Sequence, residues 1–141
     1  MRVLLDATAI VAILLSPPSK PEGLNELSTL DLAFYEVGNA IWKAVRLGKS
    51  LDEGKEIKAI GILEELMENL RVIPFREIRA SRIVEVGIKR GLTFYDSSYL
   101  VTALDRGMTL VTDDRKLSAA SMEEGVKVIG SDRLLALLNS S

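Results

Sequence analysis

A chain of 141 residues with 48% hydrophobic residues is long enough for one globular domain and too apolar for a disordered protein. Its 18 basic and 20 acidic residues give a net charge of −2, so no overall positive field attracts nucleic acid. Because Cys and His are absent, disulfide frameworks, thiolate nucleophiles, His bases and classical zinc sites are excluded. Any metal must therefore be a hard cation held by oxygen atoms, such as Mg²⁺ or Mn²⁺. We interpret residues 1–141 as a single domain.

The chain begins with an apolar stretch that Asp6 interrupts. This stretch is too short to span a bilayer, and no cleavage site of a secretory signal stands out. We interpret it as a buried strand over residues 3–5 followed by a helix over residues 8–15. We therefore expect a cytoplasmic protein with no membrane partner. The absence of Gln weakly favours a thermophilic source.

The next part of the chain predicts a loop and two long helices. Three prolines and a glycine fall within residues 16–23, which excludes regular structure there. Residues 24–30 fit a short helix and then a short strand. A helix is predicted over residues 32–47 with Gly48 as its C-cap, and another over residues 51–70. The first of these helices is apolar around most of its circumference, so we expect it to be largely buried.

Shorter segments alternate in the second half of the chain. The predicted strands are residues 71–75, 109–112 and 126–129, and the predicted helices are residues 77–90, 97–106, 115–123 and 131–138. Strands that alternate with helices favour βαβ units with right-handed crossovers. Because the strands are short and apolar, they are typical of a parallel sheet covered on both faces.

Four acidic residues lie where such a sheet would bring them together. Asp6 follows the first strand, Asp114 follows the strand that contains Leu-Val-Thr, and Asp96 opens a helix. Strand carboxyl ends and helix starts share one edge of a parallel sheet, where open α/β sheets bind ligands. Glu36 lies on the narrow polar strip of the helix over residues 32–47. Each acid could instead be a helix cap or a solvated charge, which are the commonest roles of Asp and Glu.

Taken together, the four acids indicate a cation site. Converging carboxylates repel one another, and no Lys or Arg lies on the strands that carry the acids to relieve that repulsion. A divalent cation would relieve it. Asp113 adjoins the cluster, and we treat it as peripheral.

Polar neighbours of the acids have candidate roles. Four small side chains could donate hydrogen bonds that orient the carboxylates, although such residues also cap helices: Thr8, Asn39, Ser97 and Thr112. Four basic residues could contact phosphates near the site, although most charges on a polar face are only solvated: Lys43, Arg46, Arg115 and Lys116.

Four segments resemble the PIN domain family, in particular the VapC-like toxins of toxin–antitoxin pairs. They are VLLDATAI, YEVGNAIW, TFYDSSYLVTAL and LVTDDRKL, in an order and spacing that cover nearly the whole chain. The family usually has a hydroxyl residue directly after its first Asp. This chain has Ala7 at that position, and Thr8 supplies the hydroxyl.

The resemblance implies an α/β fold, a three-layer α/β/α sandwich with a central five-stranded parallel sheet. It implies an endoribonuclease that uses one or two Mg²⁺ or Mn²⁺ ions, with Asp6, Glu36, Asp96 and Asp114 as the catalytic and metal-binding acids. It also implies a homodimer that a cognate antitoxin protein neutralises. Such cations lower the pKa of a bound water, which can then attack the scissile phosphorus in line without a covalent enzyme intermediate.

Two alternatives have a different function. One is a catalytically silent PIN-like module that binds RNA or a protein. The other is a phosphoacceptor receiver domain, which is also an α/β protein with acids around Mg²⁺. A receiver would have paired acids after its first strand, whereas Asp6 stands alone there and the paired acids, Asp113 and Asp114, come late in the chain.

Overall fold

The structure is a computed structural model that describes residues 2–16, 23–48, 51–52 and 54–139. Five parallel strands form one sheet in the order β3-β2-β1-β4-β5. The strands are β1 (Val3–Leu5), β2 (Ser28–Leu30), β3 (Arg71–Ile73), β4 (Thr109–Val111) and β5 (Val128–Ile129). The predicted parallel sheet is confirmed.

Helices connect the strands along the described part of the chain. They are α1 (Ala7–Leu14), α2 (Leu32–Arg46), α3 (Glu56–Asn69), α4 (Ala80–Arg90), α5 (Phe94–Arg106), α6 (Arg115–Glu123) and α7 (Ser131–Asn139). Short 3₁₀ turns occur at Leu24–Glu26 and Phe75–Glu77. Among the described residues, no helix is both long and apolar enough to cross a membrane.

Alternating side chains of the strands divide the core into two layers. On β1, Leu4 packs into one cluster with α4, α5 and α6, whereas Val3 and Leu5 pack into another with α1, α2, α3 and α7. Successive strand residues point to opposite faces, so both faces of the sheet are covered by helices. The three-layer α/β/α architecture is therefore confirmed.

Several predicted helix boundaries were wrong by a few residues. The third helix begins at Glu56 rather than at residue 51, and the fourth begins at Ala80 after a 3₁₀ turn rather than at residue 77. The fifth begins at Phe94 with Thr93 as its N-cap, so Asp96 lies within its first turn and does not open it. Local sequence signals locate helix ends poorly because several residues near each end can cap. The predicted loop over residues 16–23 lies mostly outside the described residues.

The expectation that α2 is largely buried was wrong. Only Ala33 and Val37 of this helix are buried, while Tyr35 is 72% exposed and Trp42 is 56% exposed. One face of α2 packs on the sheet and on α1, and α3 covers part of the rest. The apolar residues that remain outside form a surface of the kind that binds a partner.

A close contact between α4 and α5 fixes the position of the helix that carries Asp96. A Cβ atom added to the buried Gly87 would lie 3.1 Å from the Leu92 carbonyl oxygen and 3.4 Å from the Ser97 Cβ atom. These neighbours are a backbone atom and a helix-anchored side chain, so neither can move freely. Gly87 therefore sets how closely the two helices approach.

Replacing Gly87 with Ala is expected to lower the free energy of unfolding by about 1–3 kcal/mol, because the added methyl group overpacks this contact. Gly61→Ala is the matched control, since a Cβ atom at the exposed Gly61 in α3 would meet nothing within 4 Å. The control should gain about 0.5–1 kcal/mol from helix propensity. Urea unfolding measures both values, and an equal gain in both variants would contradict the proposed close contact.

Candidate active site

The four predicted acids lie around the carboxyl edge of the sheet, near its topological switch point. The chain adds β2 and β3 on one side of β1, and β4 and β5 on the other, so the connections diverge between β1 and β4. Asp6 directly follows β1, and its backbone N–H donates to the Val111 carbonyl of β4 at 3.1 Å. Crevices at such points are the usual ligand sites of open α/β sheets.

The Asp6 carboxylate is held from three directions. Its Oδ1 atom accepts the Thr8 hydroxyl at 2.6 Å and the Ala9 backbone N–H at 3.0 Å, and its Oδ2 atom accepts the Thr112 hydroxyl. Asp6 is thus the N-cap of α1, as its simplest interpretation predicted, but it is also only 4% exposed. Burial raises the pKa of Asp6 against the lowering effect of these hydrogen bonds, and the charge of Asp113 raises it further.

A buried tyrosine on α5 holds Glu36 of α2. The Tyr99 hydroxyl donates to Glu36 Oε1 at 2.7 Å, although the two residues are 63 positions apart in the chain. Burial raises the pKa of Glu36, the Tyr99 hydrogen bond lowers it, and the charges of Asp96 and Asp6 raise it. Burial and the nearby Glu36 charge also raise the pKa of Tyr99, so its hydroxyl stays protonated and remains a donor.

Asp96 faces the same group of acids from the first turn of α5. Burial raises its pKa, the charges of Asp114 and Asp6 raise it further, and Lys116 lowers it. Asp96 therefore lies close enough to Asp6 and Asp114 to interact with them electrostatically, and Glu36 interacts in the same way with Asp96 and Asp6. Lys116, one of the four basic residues proposed from the sequence to contact phosphates, follows Asp114 in α6 and places a positive charge beside these acids.

The two consecutive acids after β4 have different partners. Asp114 is the N-cap of α6 through its Oδ1 atom, which accepts the Leu117 backbone N–H at 2.9 Å. The Asp114 backbone N–H donates to the Thr112 hydroxyl oxygen at 3.0 Å, and that hydroxyl in turn donates to Asp6. The Asp113 carboxylate instead accepts hydrogen bonds from Ser131 at the start of α7.

Of the four predicted orienting residues, two contact an acid. Thr8 and Thr112 both donate to Asp6. Ser97 does not, because its hydroxyl is fully buried between α4 and α5 and donates to the Ile83 carbonyl at 2.7 Å. Asn39 is exposed on α2, one turn beyond Glu36.

The four predicted RNA-contacting residues are spread over two helices. Arg115 and Lys116 lie at the start of α6 beside the acids, whereas Lys43 and Arg46 lie in the last turn of α2. With a rise of about 1.5 Å per residue, Lys43 is about 10 Å and Arg46 about 15 Å beyond Glu36 along the helix axis. Only the α6 pair is adjacent to the acids.

Tyr99 belongs to this site but was not predicted from the sequence. The signal was its position three residues after Asp96, on the same side of α5.

Tyr99→Phe is expected to reduce kcat/KM for RNA cleavage about tenfold, because the ring still fills the core while Glu36 loses the donor that orients it. Tyr35→Phe removes the hydroxyl of an exposed tyrosine next to Glu36 and is the matched control. Equal activity of both variants would contradict an orienting role for Tyr99.

The donor atoms of this site suit a hard cation. All four acids present carboxylate oxygens, burial raises the pKa of three of them, and the described chain contains no thiolate or imidazole ligand. Among the described residues, however, no three acids stand close enough to hold an ion as they are positioned. A bound ion would therefore require the partly buried carboxylates of Glu36, Asp96 and Asp114 to rotate towards Asp6, which hydrogen bonds hold in place.

A family model named PIN domain matches residues 3–122, which include every acid of the site. This chain belongs to the PIN domain family. Two curated relatives from Pyrobaculum aerophilum are similar to it. Exonuclease VapC9 is 34% identical over 116 residues, covering 82% of this chain and 83% of the relative, and ribonuclease VapC3 is 36% identical over 128 residues, covering 84% and 93%.

Solved structures share the fold of this PIN domain. The crystal structure of PAE2754 from Pyrobaculum aerophilum superposes with a TM-score of 0.82 at 32% identity, covering 100% of this chain and 98% of that one. A toxin–antitoxin complex from Klebsiella pneumoniae includes a chain with a TM-score of 0.59 at 16% identity, covering 83% and 90%, which is a likeness of fold alone. The resemblance found in the sequence motifs is confirmed.

Proposed function

We propose that this PIN domain is a divalent-metal-dependent endoribonuclease and the toxin of a VapBC-like toxin–antitoxin pair. The main support is the group of four acids around the switch point of the sheet. Three of them have raised pKa values because full or partial burial disfavours the charged form and nearby acids repel it. Carboxylates in that state favour a bound cation. Two relatives named as nucleases add support for the reaction class.

The residues around the site would have three separate roles in cleavage. Asp6, Glu36, Asp96 and Asp114 would hold one or two Mg²⁺ or Mn²⁺ ions, which supply a water of lowered pKa and neutralise charge on the phosphate. Thr8 and Thr112 hold the Asp6 carboxylate, and Tyr99 holds Glu36. Lys116 and Arg115 would attract the RNA backbone, and Lys43 and Arg46 would contact phosphates farther along α2.

The direct test is cleavage of a circular single-stranded RNA with Mn²⁺ and with EDTA. An endonuclease opens the circle, whereas an exonuclease, the activity in the name of the VapC9 relative, cannot begin on it. Metal-dependent linearisation is expected. Digestion of linear RNA alone would replace the endonuclease assignment with an exonuclease one.

The catalytically silent module remains the second candidate. One observation favours it, since no three acids of the described chain are positioned around a single ion. A silent module would bind RNA or protein equally well with EDTA and would cleave neither circular nor linear RNA. The same experiment therefore distinguishes the two candidates.

An apolar groove supports an antitoxin protein as the partner. A cavity of about 370 Å³ lies between α1, α2 and α3, where Leu15 is 81% exposed and Ile62 is 43% exposed. Exposed apolar grooves on a soluble domain commonly bind an apolar segment of another protein. We propose that the antitoxin inserts such a segment here and extends towards the acids.

The groove can be tested with the product of a short reading frame adjacent to this gene, especially a basic or ribbon-helix-helix one. Co-expression should give a stable complex that Ile62→Lys weakens. Val84→Lys on α4 is the matched control, because Val84 is 46% exposed but lies outside the groove. Equal binding by both variants would show that the antitoxin binds outside this groove. Light scattering on the same samples tests whether the chain forms the homodimer that the family resemblance implies.

A further inference from the structure

Asp113 lies beside the acidic cluster, but both oxygen atoms of its carboxylate accept hydrogen bonds from another helix. Its Oδ1 atom accepts the Ser131 backbone N–H at 2.9 Å, and its Oδ2 atom accepts the Ser131 hydroxyl at 2.5 Å. Ser131 is the first residue of α7, where free backbone N–H groups need acceptors. Asp113 therefore caps a helix that begins 18 residues later in the chain.

The backbone of the same residue supports the site. The Asp113 N–H donates to Thr8 Oγ1 at 2.9 Å, and the Thr8 hydroxyl donates to Asp6 Oδ1 at 2.6 Å. A hydroxyl group has one proton and can accept further hydrogen bonds. Because the Asp113 N–H occupies an acceptor position of Thr8, the Thr8 proton is directed towards Asp6.

The body of α7 is anchored to the helix that Asp6 begins. Leu134 of α7 is 1% exposed and belongs to the same core cluster as Ala9, Ile10 and Ile13 of α1. Two independent contacts thus join α7 to the site. One is apolar packing on α1, and the other is the polar path through Ser131, Asp113 and Thr8 to Asp6.

We propose that Asp113 is a positioning residue that fastens the C-terminal helix to the nuclease site and thereby fixes Asp6, and that it is not a fifth cation ligand. Its role in cleavage rests on the proposed function, but its role in holding Asp6 does not. The acids then differ in role: Asp6, Glu36, Asp96 and Asp114 are the proposed cation ligands, whereas Asp113 holds the start of α7.

The test compares Asp113→Ala with Asp113→Asn. Asn retains an oxygen that can accept the Ser131 N–H, and it is as good a helix cap as Asp. It should therefore retain Mn²⁺ affinity and cleavage to within about threefold. Ala removes the cap and should weaken both about tenfold. Asp132→Ala, which removes an exposed acid from the same helix, is the matched control and should leave both unchanged.

A metal-free readout reports on the position of Asp6 itself. The Ala9 amide donates to Asp6 Oδ1 at 3.0 Å, so its hydrogen exchange is protected while Asp6 is held. In EDTA, Asp113→Ala should speed exchange at Ala9 and along residues 131–139. Thr8→Val removes the hydroxyl that joins Asp113 to Asp6. Adding Asp113→Ala to this variant should therefore slow cleavage no further. Ser131→Ala, which keeps the backbone N–H bond, is the variant to measure if Asp113→Ala does not fold.

Two results would overturn the proposal. Equal loss of Mn²⁺ affinity in the Asn and Ala variants would make Asp113 a cation ligand. Unchanged Ala9 exchange and Mn²⁺ affinity in a destabilised Asp113→Ala would make it only a helix cap. If the wild-type protein neither binds Mn²⁺ nor cleaves RNA, the proposed function fails, while faster Ala9 exchange in Asp113→Ala still supports the link between α7 and Asp6.

Discussion

Asp6→Asn and Asp96→Asn are each expected to reduce RNA cleavage by at least about a hundredfold while the protein stays folded. Residues that only orient a metal ligand cost about 10–100-fold when they are changed, so a ligand itself should cost at least as much. The fold should tolerate the change because a neutral amide removes one of several mutually repelling charges. Single-turnover cleavage and urea unfolding measure the two effects.

The control for this pair of variants is Asp132→Asn, which neutralises an exposed acid at the start of α7 and should retain full activity. We expect the free energy of unfolding of Asp96→Asn in EDTA to equal or exceed that of the wild type, because burial and the charges of Asp114 and Asp6 raise the pKa of Asp96. An Asp6→Asn or Asp96→Asn variant that cleaves RNA normally, or that cannot fold, would count against the site.

Mn²⁺ is expected to stabilise the protein strongly at neutral pH and much less at mildly acidic pH. At a free concentration a hundredfold above its Kd, an ion that binds only the folded state adds about 2.7 kcal/mol. For a chain of this size that corresponds to a rise of about 5–10 °C in Tm. Acid should weaken the effect because protons compete for the carboxylates.

The metal-free protein should have the opposite pH dependence. Burial raises the folded-state pKa of Asp6, Glu36 and Asp96 above the ordinary values of 3.8 for Asp and 4.5 for Glu. The folded protein then holds protons that the unfolded chain has released. The stability from these groups is full below the ordinary pKa values and is lost as pH rises through the raised ones.

Calorimetry in EDTA and in Mn²⁺ at several pH values tests both trends. Asp6→Asn is the control for the metal effect and should lose most of the Mn²⁺-dependent rise in Tm. Equal Tm values with and without Mn²⁺ across this pH range would argue against a cation site. A rise that persists undiminished in Asp6→Asn would place the ion elsewhere on the protein.

The fold was predictable because its signals are local. Short apolar strands, helices that end at glycine, and acids directly after strands can each be recognised within about ten residues of sequence, and their alternation limits the topology to a parallel sheet. Strand β1 and helix α6 have the bounds that were predicted. The helix around Asp96 was placed three residues late because Thr93 and Asp96 are both suitable caps, and in the structure the Thr93 side chain caps the helix by accepting the Asp96 backbone N–H.

The site was only partly predictable, since hydrogen-bond partners can lie far apart in sequence. Tyr99 was missed because its partner Glu36 is 63 residues away. Ser97 was predicted to orient one of the carboxylates. Its hydroxyl instead donates to the Ile83 carbonyl of α4, which packs closely against α5. The roles of the four acids themselves stay predictions until cleavage and metal binding are measured.

By itself, the sequence determined that Asp6, Asp113 and Asp114 lie at the carboxyl edge of the sheet, because a residue that closely follows a strand must lie near that strand's end. Only the tertiary structure decided what each carboxylate does there. Asp113 and Asp114 are neighbours in the chain, yet one is directed to α7 and the other to α6. Consecutive side chains leave the backbone in different directions, and the element that packs nearest supplies the partner, which depends on the arrangement of the whole chain.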